Sequence, residues 1–346
     1  MRALVYHGPE DLSVEDIRDP TIPNPDWVRI RVRAAGLCGS DIHKILHDAP
    51  PAGFVTTNVL GHEIAGTVDA CGTNVISFRE GDPVVVAPLI SCGRCEWCNR
   101  GDLQFCHHLS VIGRDLQGGF AEFVCVPASN VYQLPVHLTF DIGTLIDSCA
   151  VALHAIRRAG RGIKDSRTAV IGDGPLALLC VQFAGAGGAT RVDVLAKHAD
   201  RTIIARSLGA SDVYVLGSEQ YPLPRNSYDV VFEAVGGRQS ASMETAIDLV
   251  RCGGTLIVLG VFPSNLIVDV PIRRQIYKEI SVIGSNSYGS VAGVSEFSSA
   301  LEMVRTTRLR VEKLITHRVS LNDFKIALDL IRDRRASGAI KIVLCP

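Results

Sequence analysis

The segment C-G-R-C-E-W-C-N-R-G-D-L-Q-F-C, from Cys92 to Cys106, constrains this chain more than any other. Two residues between successive cysteines let a turn aim both sulfurs at one point, and a fourth cysteine completes the set. Four thiolates in one short loop match the tetrahedral, closed shell of structural zinc. Gly93 and Gly101 ease the tight backbone. The chain has eleven cysteines, an odd number, and its start, M-R-A-L-V-Y-H-G, lacks a signal peptide's apolar stretch. That context argues against a disulfide framework, and most of the other seven cysteines read as small buried hydrophobes. A nucleic-acid-binding zinc module would carry basic and aromatic residues around the cluster, but only Arg94, Arg100 and Trp97 qualify. The net charge of -1 gives no basis for a broad nucleic-acid or acidic-membrane surface. No apolar run approaches the roughly 20 residues of a bilayer span. The expected location is the cytoplasm.

A length of 346 residues predicts two domains. Up to about residue 146 the pattern is rich in strands and turns. V-R-I-R-V-R-A at 28–34 alternates apolar and charged residues, as a half-buried strand does. Short strands are also expected at 64–70, 82–88 and 118–126. Beyond Asp147 the pattern changes to strands alternating with helices: a helix at 150–159, strands at 168–172, 191–196, 228–234, 254–260 and 281–285, and helices between them. Such alternation implies a parallel sheet covered on both faces. The tail is mixed: a helix near 294–306, a strand around His317, a capping-box-like start at Ser320 and Asp323 for a helix to about Asp333, and a closing strand at 340–344. This order predicts a sheet domain inserted into the first domain, with the tail rejoining it.

Two further segments carry chemistry. A-G-L-C-G-S-D-I-H groups Cys38, Ser40, Asp41 and His43, and L-G-H-E supplies His62 and Glu63. Any one of these is more often packing than ligand, but together a thiolate, an imidazole and a carboxylate suit a catalytic zinc with an open position. V-I-G-D-G-P-L-A-L-L follows a strand and opens a helix. There Gly172 and Gly174, with Pro175 and Leu176 beginning the helix, leave room for a pyrophosphate at the helix N-terminus, and Ala177 takes the third glycine position.

These motifs, in this order and across essentially the whole chain, resemble the zinc-containing medium-chain dehydrogenases, which include alcohol, sorbitol and galactitol-phosphate dehydrogenases. The resemblance covers G-L-C-G-S-D-I-H, G-H-E, the four-cysteine lobe, G-G-F-A-E-F and the turn at 172. It implies an α/β protein: a GroES-like, mostly β catalytic domain at 1–149 and 287–346, with a structural zinc lobe at about 90–108, and an inserted Rossmann domain, a doubly wound parallel sheet, at 150–286. It implies two zinc ions per chain. Cys92, Cys95, Cys98 and Cys106 would hold the structural one. Cys38 and His62 would ligate the catalytic one, with Glu63 able to bind or approach it and Asp41 orienting His62. The third protein ligand falls at Asp147 in L-I-D-S-C, with Cys149 its competitor and a helix N-cap the plainer role. By the same resemblance, Ser40 would take the proton of the bound hydroxyl and pass it through the cofactor ribose toward His43. Without that relay, Ser40 is a turn residue and His43 a surface histidine.

The expected reaction is oxidation of a secondary hydroxyl on a polyol, sugar or sugar-like ring, with nicotinamide as hydride acceptor. An acid at the end of the second parallel strand holds the ribose in NAD enzymes, but here R-V-D-V-L-A-K-H puts Ala196 there, followed by Lys197 and His198. With Arg201 these suit a 2′-phosphate, so NADP is expected over NAD, unless a register shift brings Asp193 to the position or Lys197 is only a solvated loop residue. The alternatives are an NADP-linked dehydrogenase of simple secondary alcohols, an aminocyclitol or aminosugar dehydrogenase, and a catalytically silent relative. The partners expected are a small hydroxyl substrate and further copies of the chain, as a homodimer or homotetramer joined through the strand at 281–285. Residues 43–55 are expected to wall the substrate site. His107 and His108 read as surface, His154 as core, and Arg273 and Arg274 as either surface or near the phosphate.

Overall fold

In V-R-I-R-V-R-A every second side chain is apolar, and the resulting strand, Trp27–Gly36, buries Val28, Ile30 and Val32 while Arg29 and Arg31 turn outward to Asp69, at 2.7 and 3.1 Å. The computed structural model describes residues 1–46, 57–217, 224–263, 265–306 and 309–346. The chain divides into two units. The first comprises Met1–Asp147, Tyr288–Thr307 and Ile315–Pro346; the second comprises Ser148–Ser287 and Arg308–Leu314.

In the first unit, Trp27–Gly36 lies within a seven-stranded sheet among the described residues. The order is Ile315–Ser320, Lys341–Cys345, Trp27–Gly36, Glu63–Cys71, Pro83–Val86 and Val131–Gln133, with Phe123–Pro127 paired to the first half of Trp27–Gly36. The closing strand rejoins the beginning of the chain, where Val343 and Leu344 pair with Gly36 and Ala35. One core of Val28, Ile30, Ile64, Val84, Phe120 and Val124 fixes the register by burying one face of the pleat. The short pair Leu89–Ile90 and Ser110–Val111 closes the base of the cysteine loop.

The second unit is a parallel six-stranded sheet in the order Val213–Val215, Arg191–Ala196, Arg167–Ile171, Tyr228–Glu233, Val250–Val258 and Ser281–Gly284. Its central strands are almost wholly buried, as strands covered on both faces are. The direction of strand order reverses between Arg167–Ile171 and Tyr228–Glu233, where such sheets bind ligands beyond their carboxyl ends.

Several boundaries differ from the sequence expectation. The helix expected at 150–159 runs Ile146–Arg158, so Asp147 is its second residue and not its N-cap. The strand expected at 118–126 contracts to Phe123–Pro127. Gly118 instead lies so close to Leu60 and Gly61 that a Cβ would overlap their carbonyl oxygens. Ser320 accepts the N–H of Asn322 at 3.3 Å and leads through a short turn into the helix Phe324–Arg332, in place of a reciprocal capping box with Asp323. Among the described residues no helix is long and apolar enough to cross a membrane. Of the wall expected at 43–55, residues 47–55 lie outside the described residues.

Candidate metal centres and cofactor site

Cys38 ends the turn after Trp27–Gly36, and His62 and Glu63 open the neighbouring strand. Antiparallel pairing sets Glu63 opposite Gly36 and brings the three donors together, their ligand atoms all within 4.8 Å of one another. Asp41, buried on the helix Gly39–Leu46, serves both partners. Its Oδ2 accepts the Cys38 N–H at 3.0 Å, and its Oδ1 lies 3.4 Å from His62 Nδ1. Burial opposes charge on His62, but Asp41 and Cys38 outweigh it and raise the imidazole well above its usual range. Asp147, buried in the first turn of its helix, accepts the Tyr288 hydroxyl at 2.8 Å. Burial pushes Asp147 up to about 6, with His62 and the tyrosine offsetting only part of that.

Glu63 is almost fully buried and paired to the equally buried Lys341. Burial disfavours the ammonium, but Glu63 and Cys38 keep Lys341 above the usual lysine range. Gly36 makes room for the pair, since a Cβ there would overlap Glu63 Oε2 and come within 3.0 Å of Lys341 Cε. Cys38, Asp41, Glu63 and Asp147 can all carry negative charge here, against the ammonium of Lys341 and the imidazolium of His62. Uncompensated buried charge is costly, and a divalent cation among these N, S and O donors offsets the excess. The donor chemistry therefore fits zinc. Neither Asp147 nor Cys149, both buried, falls within the Cys38–His62–Glu63 group, although Asp147 lies close enough to feel the charges of His62 and Glu63.

In the second cluster Cys92, Cys95, Cys98 and Cys106 again lie with all sulfurs within 4.8 Å. Cys98 Sγ is 3.5 Å from Cys95 Sγ and 3.9 Å from Cys92 Sγ, close to the ~3.8 Å that tetrahedral bonds of about 2.3 Å require. The helical turn Glu96–Arg100 spaces Cys95 from Cys98, and Gly101 ends it at φ +88°. Backbone N–H groups point at the sulfurs: Cys106 Sγ accepts those of Cys92 and His108, at 3.2 and 3.4 Å. N–H groups of Cys98 and His107 lower the Cys95 thiol to about 6, while burial, with the neighbouring sulfurs, raises Cys98 to about 11. Cys95 is thus primed as a thiolate, whereas Cys98 needs a metal's charge to give up its proton. His107 and His108 are exposed.

In the second unit the strand Arg167–Ile171 ends at Gly172, whose φ of +125° excludes most side chains and whose missing Cβ would meet Ala177 at 3.2 Å. Gly174 then caps the helix Pro175–Ala186, with Pro175 in its first turn and Leu176 next. The bare helix start fits a pyrophosphate. Ala196 is buried as the last residue of its strand, paired with Val215. Asp193 is engaged elsewhere, by Arg191 at 2.9 Å, the Tyr228 hydroxyl at 2.8 Å and the Asp212 N–H at 3.1 Å. Lys197 is exposed and His198 half-buried, whereas Arg201 is drawn inside and only 5% exposed. Arg274 pairs with Asp248 and Arg273 lies over Tyr277.

Sequence reasoning missed Lys341, Tyr288 and Glu233. For Lys341 a signal existed: a lysine inside the apolar run I-K-I-V-L has to be paired. Nothing in S-N-S-Y-G marks Tyr288. Glu233, fully buried, holds the turn after its strand by accepting the N–H groups of Val235 and Gly236, both at 3.1 Å.

Residues 24–136 match the alcohol dehydrogenase GroES-like domain, and residues 175–306 match the zinc-binding dehydrogenase domain. Galactitol 1-phosphate 5-dehydrogenase of Escherichia coli is 30% identical, with all of both chains covered. Sorbitol dehydrogenase of Arabidopsis thaliana is 29% identical, over 97% of this chain and 93% of that one. Among solved structures, a zinc-binding dehydrogenase from Sinorhizobium meliloti bound to NADP superposes with a TM-score of 0.87 at 29% identity, covering 100% of this chain and 99% of that one. The chain belongs to the zinc-containing medium-chain dehydrogenases, with a GroES-like domain and a Rossmann-type domain. It is a zinc-dependent oxidoreductase acting on a CH–OH group.

Proposed function

We propose that the enzyme oxidises a secondary hydroxyl of a polyol, sugar or sugar-like ring to a ketone, reversibly, with NADP in preference to NAD. The observation that carries this reading is the convergence of Cys38, His62 and Glu63, with buried Asp41, Asp147 and Lys341 beside them. The domain at 1–149 and 287–346 binds metal and substrate, and that at 150–286 binds the cofactor. Cys38, His62 and Asp147 hold the catalytic zinc, with Glu63 beside it and tethered by Lys341. The four cysteines of the lobe hold a structural zinc. Zinc at the first site supplies Lewis acidity that acidifies a hydroxyl placed against it. Ser40, exposed in the first turn of its helix, accepts the hydroxyl proton at Oγ as it releases its own O–H proton toward His43, which passes a proton to solvent. Relatives named for sugar alcohols and their phosphates support the substrate class.

Lys197 and His198 beside Ala196 support NADP, as does the NADP-bound relative. A homo-oligomer is supported by the exposed edge strand Ser281–Gly284 and the exposed Ile272, Ile276 and Tyr277 on the nearby helix Ile272–Lys278. A dehydrogenase of simple secondary alcohols is the second reading: in the family this chain resembles, polyol dehydrogenases carry glutamate at the position of Asp147, whereas some bacterial secondary-alcohol dehydrogenases carry aspartate.

One screen tests the set: polyols, simple secondary alcohols and aminocyclitols with each cofactor, alongside metal quantitation. The expected result is about two zincs per chain and turnover of polyols with NADP. An NAD preference of about tenfold in kcat/KM, roughly 1.4 kcal/mol, overturns the cofactor reading. Ser40→Ala with near wild-type turnover overturns the proton path.

A further inference from the structure

The residue between the two turn glycines, Asp173, is mostly buried and committed to one task. Its Oδ2 accepts the N–H of Lys197 at 2.9 Å and that of His198 at 2.8 Å, and lies 2.9 Å from His198 Nδ1. Strand pairing explains the reach: Ile171 is in register with Leu195, so the segments leaving both strands emerge side by side. One carboxylate thus ties the glycine turn to the loop that follows the second strand.

This changes what that loop can offer a ligand. The N–H groups of residues 197 and 198 are consumed. Ala196 has no polar side chain, and Asp193 is bound to Arg191, Tyr228 and the Asp212 backbone. The His198 ring is pinned through Nδ1, and among the described residues its Nε2 has no hydrogen-bond partner. The Lys197 ammonium is likewise unpaired among the described residues. With His198 Nδ1 protonated, three donors satisfy this one Asp173 oxygen, and the loop's outward groups are the Lys197 ammonium and His198 Nε2. An imidazole that donates from Nδ1 offers Nε2–H as a second donor when the ring carries both protons.

We propose that Asp173 is a positioning residue for cofactor selection. It fixes the Lys197–His198 segment and turns His198 so that Nε2 and the Lys197 ammonium meet a phosphate monoester on the 2′ oxygen of an adenosine ribose. The proposal rests on the NADP reading and deepens it. A carboxylate in this place has an opposite possible effect: binding the ribose hydroxyls itself and repelling a 2′-phosphate. The two effects differ in sign, so one experiment separates them.

Isothermal titration of the zinc-loaded protein uses adenosine 2′,5′-bisphosphate and adenosine 5′-monophosphate as probes. The wild type is expected to bind the bisphosphate at least about tenfold more tightly, a gap of some 1.4 kcal/mol. Asp173→Ala should remove most of that preference through the bisphosphate alone, leaving the monophosphate within about twofold. Asp173→Asn, which keeps an acceptor for the N–H groups, should fall between. His198→Ala should lose preference too, and adding it to Asp173→Ala should cost little more, because the two act as a unit. A wild type that binds both probes equally overturns the NADP reading and this proposal with it. A wild-type preference that survives undiminished in Asp173→Ala, or undiminished in Asp173→Asn if the alanine variant does not fold, overturns the role of Asp173 alone. So does an equal loss on both probes, or a gain on the bisphosphate.

Discussion

In the lobe, all four sulfurs come from residues 92–106 and sit near the surface of one loop, aimed by its own backbone. Around His62, the converging donors come from residues 38, 62 and 63, with Asp147 buried near His62 and Glu63, and their partners come from 41, 288 and 341. The first centre is a local object that one turn and four identical side chains can assemble. The second exists only after strand pairing has brought the start and end of the chain together, and its charges are buried and balanced against each other. A closed shell of thiolates suits structure; a mixed, buried, proton-sensitive set suits chemistry.

The sharpest way to break this comparison is to remove one donor from each. His62→Ala should lower kcat/KM by at least about a thousandfold, since metal polarisation contributes several kcal/mol, while the lobe keeps its metal. Paired Cys95→Ser and Cys98→Ser should do the reverse: the protein loses one zinc by metal analysis and melts about 5 °C lower, roughly 2 kcal/mol at this size, with residual turnover per folded molecule. Equal loss of turnover in both, without a change in melting, removes the distinction.

Lys341→Met should cost about 3–5 kcal/mol in denaturant unfolding, because it leaves Glu63 charged and buried. Adding Glu63→Gln should recover much of that. If Lys341→Met alone is harmless, the buried charges are not balanced as described.

Tyr288→Phe is the smaller probe. Losing the hydroxyl on Asp147 should weaken zinc at this centre about tenfold, read by chelator competition, and leave the lobe unchanged. A pH series sharpens it. Asp147 sits at about 6 in the folded chain, above the ~3.9 of an unfolded aspartate. In the zinc-free protein the cost of ionising it therefore appears as pH rises from about 4 through 6, and stability falls over that window. Zinc displaces the proton, so the stability gained from zinc should shrink as pH drops below about 6. Asp147→Asn should flatten this dependence; a profile unchanged by Asp147→Asn and by Tyr288→Phe contradicts the assignment.

Much of the architecture was legible because it repeats locally. Alternation marked Trp27–Gly36, and strand–helix alternation marked the parallel sheet. The donors Cys38, His62 and Glu63 were readable as chemistry-bearing residue types, although each alone is ordinary. Less legible were features set by neighbours distant in sequence. Asp147 could be read as a helix cap until the helix proved to begin one residue earlier. Arg201, expected to face a phosphate, is drawn inside. Asp173 passed as the variable residue of a glycine turn, since its partners lie more than twenty residues on, across a strand pairing.

The convergence of the four lobe cysteines was legible in the sequence alone, because spacing and a single turn suffice to bring four sulfurs together. The same holds for the glycine turn, where φ +125° at Gly172 is a local demand. Tertiary structure decided which acids are paired and which are poised. Lys341 reaches Glu63 only because the closing strand pairs beside Gly36, and Tyr288 reaches Asp147 only because the chain returns to the first unit there. Charge balance in a buried site is a sum over distant residues, and no stretch of sequence contains it.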